Sequence, residues 1–355
     1  MALDPYFDEM YRARRHDMIV QARSMVTGSL SKLVPLRRPA TLDPVDAAQR
    51  AKAAARRKTP GWQRRNAKAW DTKLFGRVGV PGPEVPTEDH TIEVPGFLEV
   101  RVRVYRPLTD AAGLRPAVLA FFGGSFQLGG LDWTSIDAAF RSRTADSGVV
   151  TVAVDYALAP EHRYPAAVEQ GYAALHWLAE NAAELGVDPD RIAVNGTSSG
   201  GNIAAAVTLL NRARAWHPLA LQLLEVPALD LTGGHIDKRP LREMKIPLLM
   251  ARRELVAVAN AYLKDRSLAH RATASPLLAD HHRGLPPAVV LTAEYDVLRG
   301  DGAAYGTALR ESGVDASVVE YKGATHDAAM FRGVVPLAER WHRDVVAALG
   351  TLHTL

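Results

Sequence analysis

The chain is expected to fold as an α/β protein, a central, mostly parallel sheet with helices on both faces. Three observations predict this. Short apolar runs such as PAVLAFF, VVTVAVD and AVVLTA alternate with segments of helical character, the signature of strands buried on both sides. The length of 355 residues suits one large domain with elaborations, or two modest ones. A hydrophobic share of 47% and a charged share of 23% are enough for a sizeable core under a soluble surface.

The N-terminal arm reads as helical. Asp4-Pro5 and Asp43-Pro44 each set an N-cap residue before a proline at the first helical position. The second pair predicts a helix rich in Ala and Arg over about Pro44 to Lys58. Residues 1–80 hold 17 Lys and Arg against 7 Asp and Glu, whereas the rest holds 26 against 32. A basic arm could meet nucleic acid or an anionic surface. The favoured reading is a solvated or packed helical extension, because few aromatics interleave with its basic residues and no nucleic-acid motif is present. The break VGVPGPEVP, Val78 to Pro86, separates the arm, 1–86, from the main domain, 87–355.

Beyond the break, HTIEV and LEVRVRVY alternate apolar and polar residues, as an antiparallel hairpin does. The strand PAVLAFF follows, then a helix over Ser135 to Asp146 and the strand VVTVAVD. A helix over Pro165 to Leu185, the strand RIAVNG and a helix over Gly201 to Arg214 come next. LQLLEVP, AVVLTA and ASVVEY complete the set of strands. One region breaks the rhythm. The segment at about 231–275, with GGHIDKRP and ARRELVAVANAYLKD, is too long for a simple βα connection and is a candidate lid.

Several classes are excluded. The chain has no cysteine, hence no disulfide, cysteine nucleophile or thiolate metal site. MALDPYFDEM lacks a basic region followed by an apolar core, and no run of 18 uncharged apolar residues occurs. A cytoplasmic protein without a membrane span is expected. No H-E-x-x-H or other metal spacing is present, so no metal is expected.

The chemistry centres on two glycine-rich turns. AFFGGSFQLGG, Ala120 to Gly130, is a strand ending in a tight loop that could cradle a phosphate, hold an oxyanion or turn a corner. Gly196-Thr197-Ser198-Ser199-Gly200 matches G-x-S-x-G between a strand and a helix. There the nucleophile sits on a strained turn that Gly196 and Gly200 keep uncrowded, and the helix N-terminus faces developing negative charge. The competing reading, a phosphate-binding βα turn, lacks both the G-x-G-x-x-G spacing and a P-loop lysine.

A serine needs a base, and the base an orienting carboxylate, in the chain order Ser, acid, His. Asp296 follows AVVLTA, 98 residues after Ser198, and His326 follows ASVVEY, 30 residues further on. Glu294 is the alternative acid. Asp301 is expected to be a helix N-cap. His281 and His282 are expected to be solvated, His162 to join a buried hydrogen-bond network, and His235 to be structural or to touch substrate from the lid.

Taken together, FFGGSFQLGG, DYALAPEHRYPAA, NGTSSGGN, SPLLAD, LPPAVVLTAEYDVLRGDG and KGATHDAAM resemble the hormone-sensitive-lipase-like branch of the α/β-hydrolase superfamily, over about Ala117 to Leu349. Members are mostly carboxylesterases that need no cofactor. The resemblance implies a cap built from the N-terminal segment and the insertion before SPLL. It also implies a dimer option through the last strand and helix. Family members carry H-G-G-G where this chain has Phe122, Gly123, Gly124 and Ser125. The implied oxyanion donors are the amides of Gly124, Ser125 and Ser199. Main-chain donors survive a change of side chain if Ser125 can adopt the backbone shape. The missing histidine normally ties the loop down, and packing of Phe122 is expected to replace it. The implied activity is hydrolysis of a small carboxylic ester by Ser198, His326 and Asp296. An amidase with the same triad is the alternative. A binding protein on the same fold, like the plant gibberellin receptor that resembles the family but lost the histidine, is disfavoured because all three residues are present.

Overall fold

The structure, a computed structural model, describes residues 3–10, 12, 59–109 and 113–355. Two units are distinguished, Met1–Asn66 and Ala67–Leu355. In the first, Asp4 Oδ1 accepts the Tyr6 N–H at 3.0 Å ahead of a short helix over 5–10, the N-cap expected there. The helix expected over Pro44 to Lys58 lies outside the described residues. Helix α1 (Pro60–Val78) ends at the proline-rich break, which is irregular as expected.

Among the described residues, eight strands form one sheet in the order β1-β2-β4-β3-β5-β6-β7-β8. The alternating pair becomes the hairpin of β1 (Thr87–Ile92) and β2 (Val100–Tyr105), with Thr87 opposite Tyr105. The remaining strands are β3 (Arg115–Phe121), β4 (Val150–Asp155), β5 (Val187–Thr197), β6 (Leu221–Glu225), β7 (Ala288–Tyr295) and β8 (Ala316–Thr325). Only the pairs β1–β2 and β2–β4 are antiparallel. β3 and β4 are buried almost end to end, which explains their continuous apolar sequence. β5 begins before its apolar run: Val187 pairs with Arg115, and the register shifts between Arg115 and Ala117.

The helices are α2 (Thr134–Ser147), α3 (Ala166–Glu180), α4 (Ser199–Ala213), α5 (Arg239–Glu243), α6 (Leu248–Tyr262), α7 (Arg299–Glu311) and α8 (Pro336–Gly350). α3 stops short of the expected Leu185, because Asn181 turns its side chain back onto the Trp177 carbonyl at 2.8 Å. α5 and α6 lie in the insertion between β6 and β7. α6 buries only Ala259 and Tyr262 and leaves Leu249, Met250 and Val256 exposed. No described helix is long and apolar enough to cross a membrane.

Strand order positions the site. The chain leaves β3 for β4 on one side and returns to β5 on the other. At such a switch point the loops part and leave a crevice at the carboxyl ends of the strands. Phe121, which ends β3, pairs with Gly196 near the end of β5, so both glycine-rich turns open there. The loops after β7 and β8 emerge at the same end of the parallel sheet.

Two expectations are corrected. Asp301 is not an N-cap: it lies inside the first turn of α7, fully buried, and accepts the Leu229 and Asp230 N–H groups at 2.8 and 2.9 Å. Burial raises its pKa to about 7, against the pull of those two amides. His282 is not solvated: it is buried, with Nε2 3.0 Å from the Pro276 carbonyl and its ring edge-on to Tyr305. Burial lowers its pKa.

Candidate active site

Ser198 stands between β5 and α4 with φ 54° and ψ −116°, a conformation that is costly for any residue but glycine. The two flanking glycines are sterically required. A Cβ at Gly196 would lie 2.2 Å from the Gly200 carbonyl oxygen. A Cβ at Gly200 would lie 2.3 Å from that of Phe121 and 2.4 Å from that of Phe122. The Ser198 N–H donates to the Glu225 carbonyl at 2.8 Å.

The structure brings the three sequence-predicted side chains into one line. Ser198 Oγ is 2.9 Å from His326 Nε2, and His326 Nδ1 is 2.7 Å from Asp296 Oδ2. Asp296 is buried, and its other oxygen accepts the Leu298 N–H at 2.9 Å, which fixes the carboxylate plane. Burial lowers the pKa of His326, but the charge of Asp296 and the hydrogen bond to it outweigh burial and raise it to about 9. An imidazole so held can take the serine proton at Nε2 while Nδ1–H stays on the carboxylate.

The loop after β3 folds against this turn. A Cβ on Gly123 would be 3.3 Å from Ser198 Cβ, so the backbone passes the serine closely. Gly124 has φ 146°, and a Cβ there would meet the Leu128 carbonyl oxygen at 2.1 Å. Ser125 takes φ 55° and Phe126 φ 61°, so the serine does adopt the left-handed backbone. Gln127 and Leu128 donate to the Gly124 carbonyl at 3.0 and 2.9 Å, whereas the Gly124 and Ser125 N–H groups take no part in these turn bonds. Ser199 is the first residue of α4, where N–H groups have no intrahelical acceptor.

A cavity of about 570 Å³ opens over Ser198 and His326. Its walls are largely apolar, with Phe126, Leu231, Ile236, Leu255 and Val258 among them. Leu255 and Val258 come from α6, so the insertion does contribute a wall. Among the described residues, no group of three or more His, Asp and Glu side chains is gathered as for a metal ion.

A family model described as alpha/beta hydrolase fold matches residues 118–330. The chain belongs to this family. The alpha/beta hydrolase is 37% identical to the carboxylesterase NlhH of Mycobacterium tuberculosis over 275 residues, 76% of this chain and 84% of that one. It is 34% identical to an arylesterase of Saccharolobus solfataricus over 286 residues, 79% of this chain and 87% of that one. Among solved structures, a thermophilic carboxylesterase from a metagenomic library superposes with a TM-score of 0.75 at 38% identity, over 83% of this chain and 97% of that one. These likenesses make the protein a carboxylic ester hydrolase.

What holds the loop after β3 of this hydrolase was only half legible. Phe122 packs as expected, its ring stacked on Tyr156 with centroids 4.3 Å apart and planes 16° from parallel. Sequence reasoning missed the second half. The Tyr156 hydroxyl, fully buried, donates to the Phe122 carbonyl at 2.7 Å. The loop is tied by a neighbour's side chain to its own backbone. The signal was present in DYALAPEHRYPAA, where the tyrosine follows the last residue of β4. We expect Tyr156→Phe, which removes only the hydroxyl, to lower kcat for an ester about tenfold with a small loss of Tm. Steady-state kinetics beside a melting curve check this.

Glu294 and His235 have structural partners in the hydrolase. Glu294 accepts the Gly323 N–H at 2.9 Å and faces Arg239 at 3.2 Å, whereas the carboxylate on His326 Nδ1 is that of Asp296. His235 Nδ1 is 2.8 Å from Asp230 Oδ2. That carboxylate also takes the Thr232 and Gly234 N–H groups, at 2.8 and 2.9 Å. His162 is half-buried, and its ring makes no hydrogen bond among the described residues, which corrects the buried network expected for it.

Proposed function

We propose that this ester hydrolase works through an acyl-enzyme on Ser198. Ser198 Oγ attacks the ester carbonyl as His326 Nε2 takes its proton. His326 then returns the proton to the leaving alcohol. Asp296 holds the imidazole with its proton on Nδ1 and stabilises the imidazolium. The amides of Gly124, Ser125 and Ser199 hold the tetrahedral oxyanion, each contributing about 2.7–4 kcal/mol to barrier lowering if it acts as such donors do. Water enters by the same steps to release the acid. The observation that carries the reading is the line Asp296–His326–Ser198, with separations of 2.7 and 2.9 Å. The apolar cavity beside it suits the uncharged ends of an ester, with the insertion at 231–275 as a cap.

The reading is tested by covalent labelling with a fluorophosphonate probe and by paired ester and anilide substrates. An adduct on Ser198 with the ester favoured supports it. No adduct favours a binding protein, and an anilide preference favours an amidase.

The base must be neutral to act, so the raised pKa of His326 has a directional consequence. We expect kcat/KM to rise with pH through the neutral range and to level off near the folded value of about 9. The linked stability runs the other way. A raised pKa means that folding favours the protonated ring, so this contribution is full below the ordinary histidine value and is lost as pH rises through about 9. A pH–rate profile beside a pH series of melting curves checks both signs.

A further inference from the structure

We propose that Glu225 is a positioning residue for the nucleophile, a role that rests on Ser198 being that nucleophile. Glu225 ends β6 and pairs directly with Thr197, the residue before Ser198. It is the one charged residue of β6, and its side chain is 1% exposed.

Five donor contacts converge on its carboxylate. Oε1 lies 2.8 Å from Arg143 Nη1, 3.2 Å from Asn195 Nδ2 and 3.3 Å from Thr197 Oγ1. Oε2 takes Arg143 Nη2 at 2.9 Å and Trp341 Nε1 at 2.8 Å. These donors come from α2, β5 and α8. The backbone of the same residue accepts the Ser198 N–H at 2.8 Å. Glu225 therefore grips the strained turn twice, at the nucleophile's own amide and at the side chain before it.

The physical case starts from cost. A residue at φ 54° and ψ −116° stays there only when its surroundings over-determine it. A buried carboxylate is itself expensive, and replacing a buried ion pair with well-packed apolar groups is often neutral or stabilising. Stability alone thus gives little reason for charge beneath the turn. A saturated, charge-assisted cluster gives fixed geometry, because each contact is directional and no oxygen is left free to reorient. Fixed geometry is what a nucleophile 2.9 Å from its base requires.

Removing the carboxylate outright would strand Arg143 in the interior, so the test removes the donor instead. Thr197→Val keeps the side-chain shape and deletes the hydroxyl that binds Glu225. Val345→Ala, a fully buried position in α8, serves as a destabilised control outside the cluster. The readouts are the rate of fluorophosphonate labelling, kcat and KM on a p-nitrophenyl acyl ester, and Tm. In Thr197→Val, labelling and kcat should both fall about tenfold with KM unchanged. Val345→Ala should lose Tm and keep the wild-type labelling rate. Wild-type labelling in Thr197→Val overturns the proposal, as does equal slowing in Val345→Ala. Labelling that persists in Ser198→Ala overturns the nucleophile assignment itself, and with it the role of Glu225.

Discussion

Ser198→Ala is expected to lower turnover of a p-nitrophenyl acyl ester by on the order of 10⁶-fold, the scale on which a triad fails when its nucleophile is lost. The fold should not change. Alanine fits the same turn, the hydrogen bond from the residue-198 N–H to the Glu225 carbonyl remains, and Gly200 still clears the backbone of Phe121 and Phe122. The variant should therefore melt close to wild type and take no fluorophosphonate adduct. Turnover within about tenfold of wild type would remove Ser198 from the mechanism. The proposed oxyanion donors are main-chain groups and survive the substitution, so the residual rate should still exceed that in water.

Asp296→Asn is expected to cost about 10⁴-fold in kcat, through the tautomer of His326 rather than through geometry. The carboxylate accepts Nδ1–H, which leaves the lone pair of Nε2 toward Ser198. An amide nitrogen in that place donates instead, moves the ring proton to Nε2 and blocks transfer from the serine. The pH midpoint of kcat/KM should also fall toward the ordinary histidine value, because the charge that raises it is gone. Glu294→Gln is the matching control. Glu294 holds the Gly323 amide and faces Arg239, so its loss should lower Tm while kcat stays within about threefold. The opposite outcome, with Glu294→Gln inactive and Asp296→Asn active, would exchange the two acids.

How far the site was legible follows from the range of each interaction. Ser198, Asp296 and His326 each follow an apolar strand, and a strand of a parallel sheet delivers its next loop to a common edge. Their chain positions therefore implied their meeting before any distance was known. Asp301 and His282 were misread for the opposite reason. Each looks like a polar residue beside an element boundary, where capping or solvation is the usual outcome. Asp301 is instead claimed by two amides about 70 positions earlier in the chain, and His282 by a proline carbonyl and the ring of Tyr305. The early start of β5 was hidden by Asp188-Pro189-Asp190, a polar stretch that lies between the pairing of Val187 with Arg115 and that of Ile192 with Ala117.

By itself, the amino-acid order determined the α/β layering, the order of the elements, the two glycine-rich turns and the three residues that line up at the site. Period-2 and apolar runs, helical periodicity and the freedom of glycine are local properties, written within a few positions of where they act. Only the tertiary structure decided what holds those residues at work. Tyr156 reaches the Phe122 carbonyl and Glu225 gathers Arg143, Thr197 and Trp341 because four strands and two helices come together. The choice between a solvated and a buried polar group depends on partners distant in the chain. The penalty for leaving such a group unpaired applies only after the sheet has closed around it.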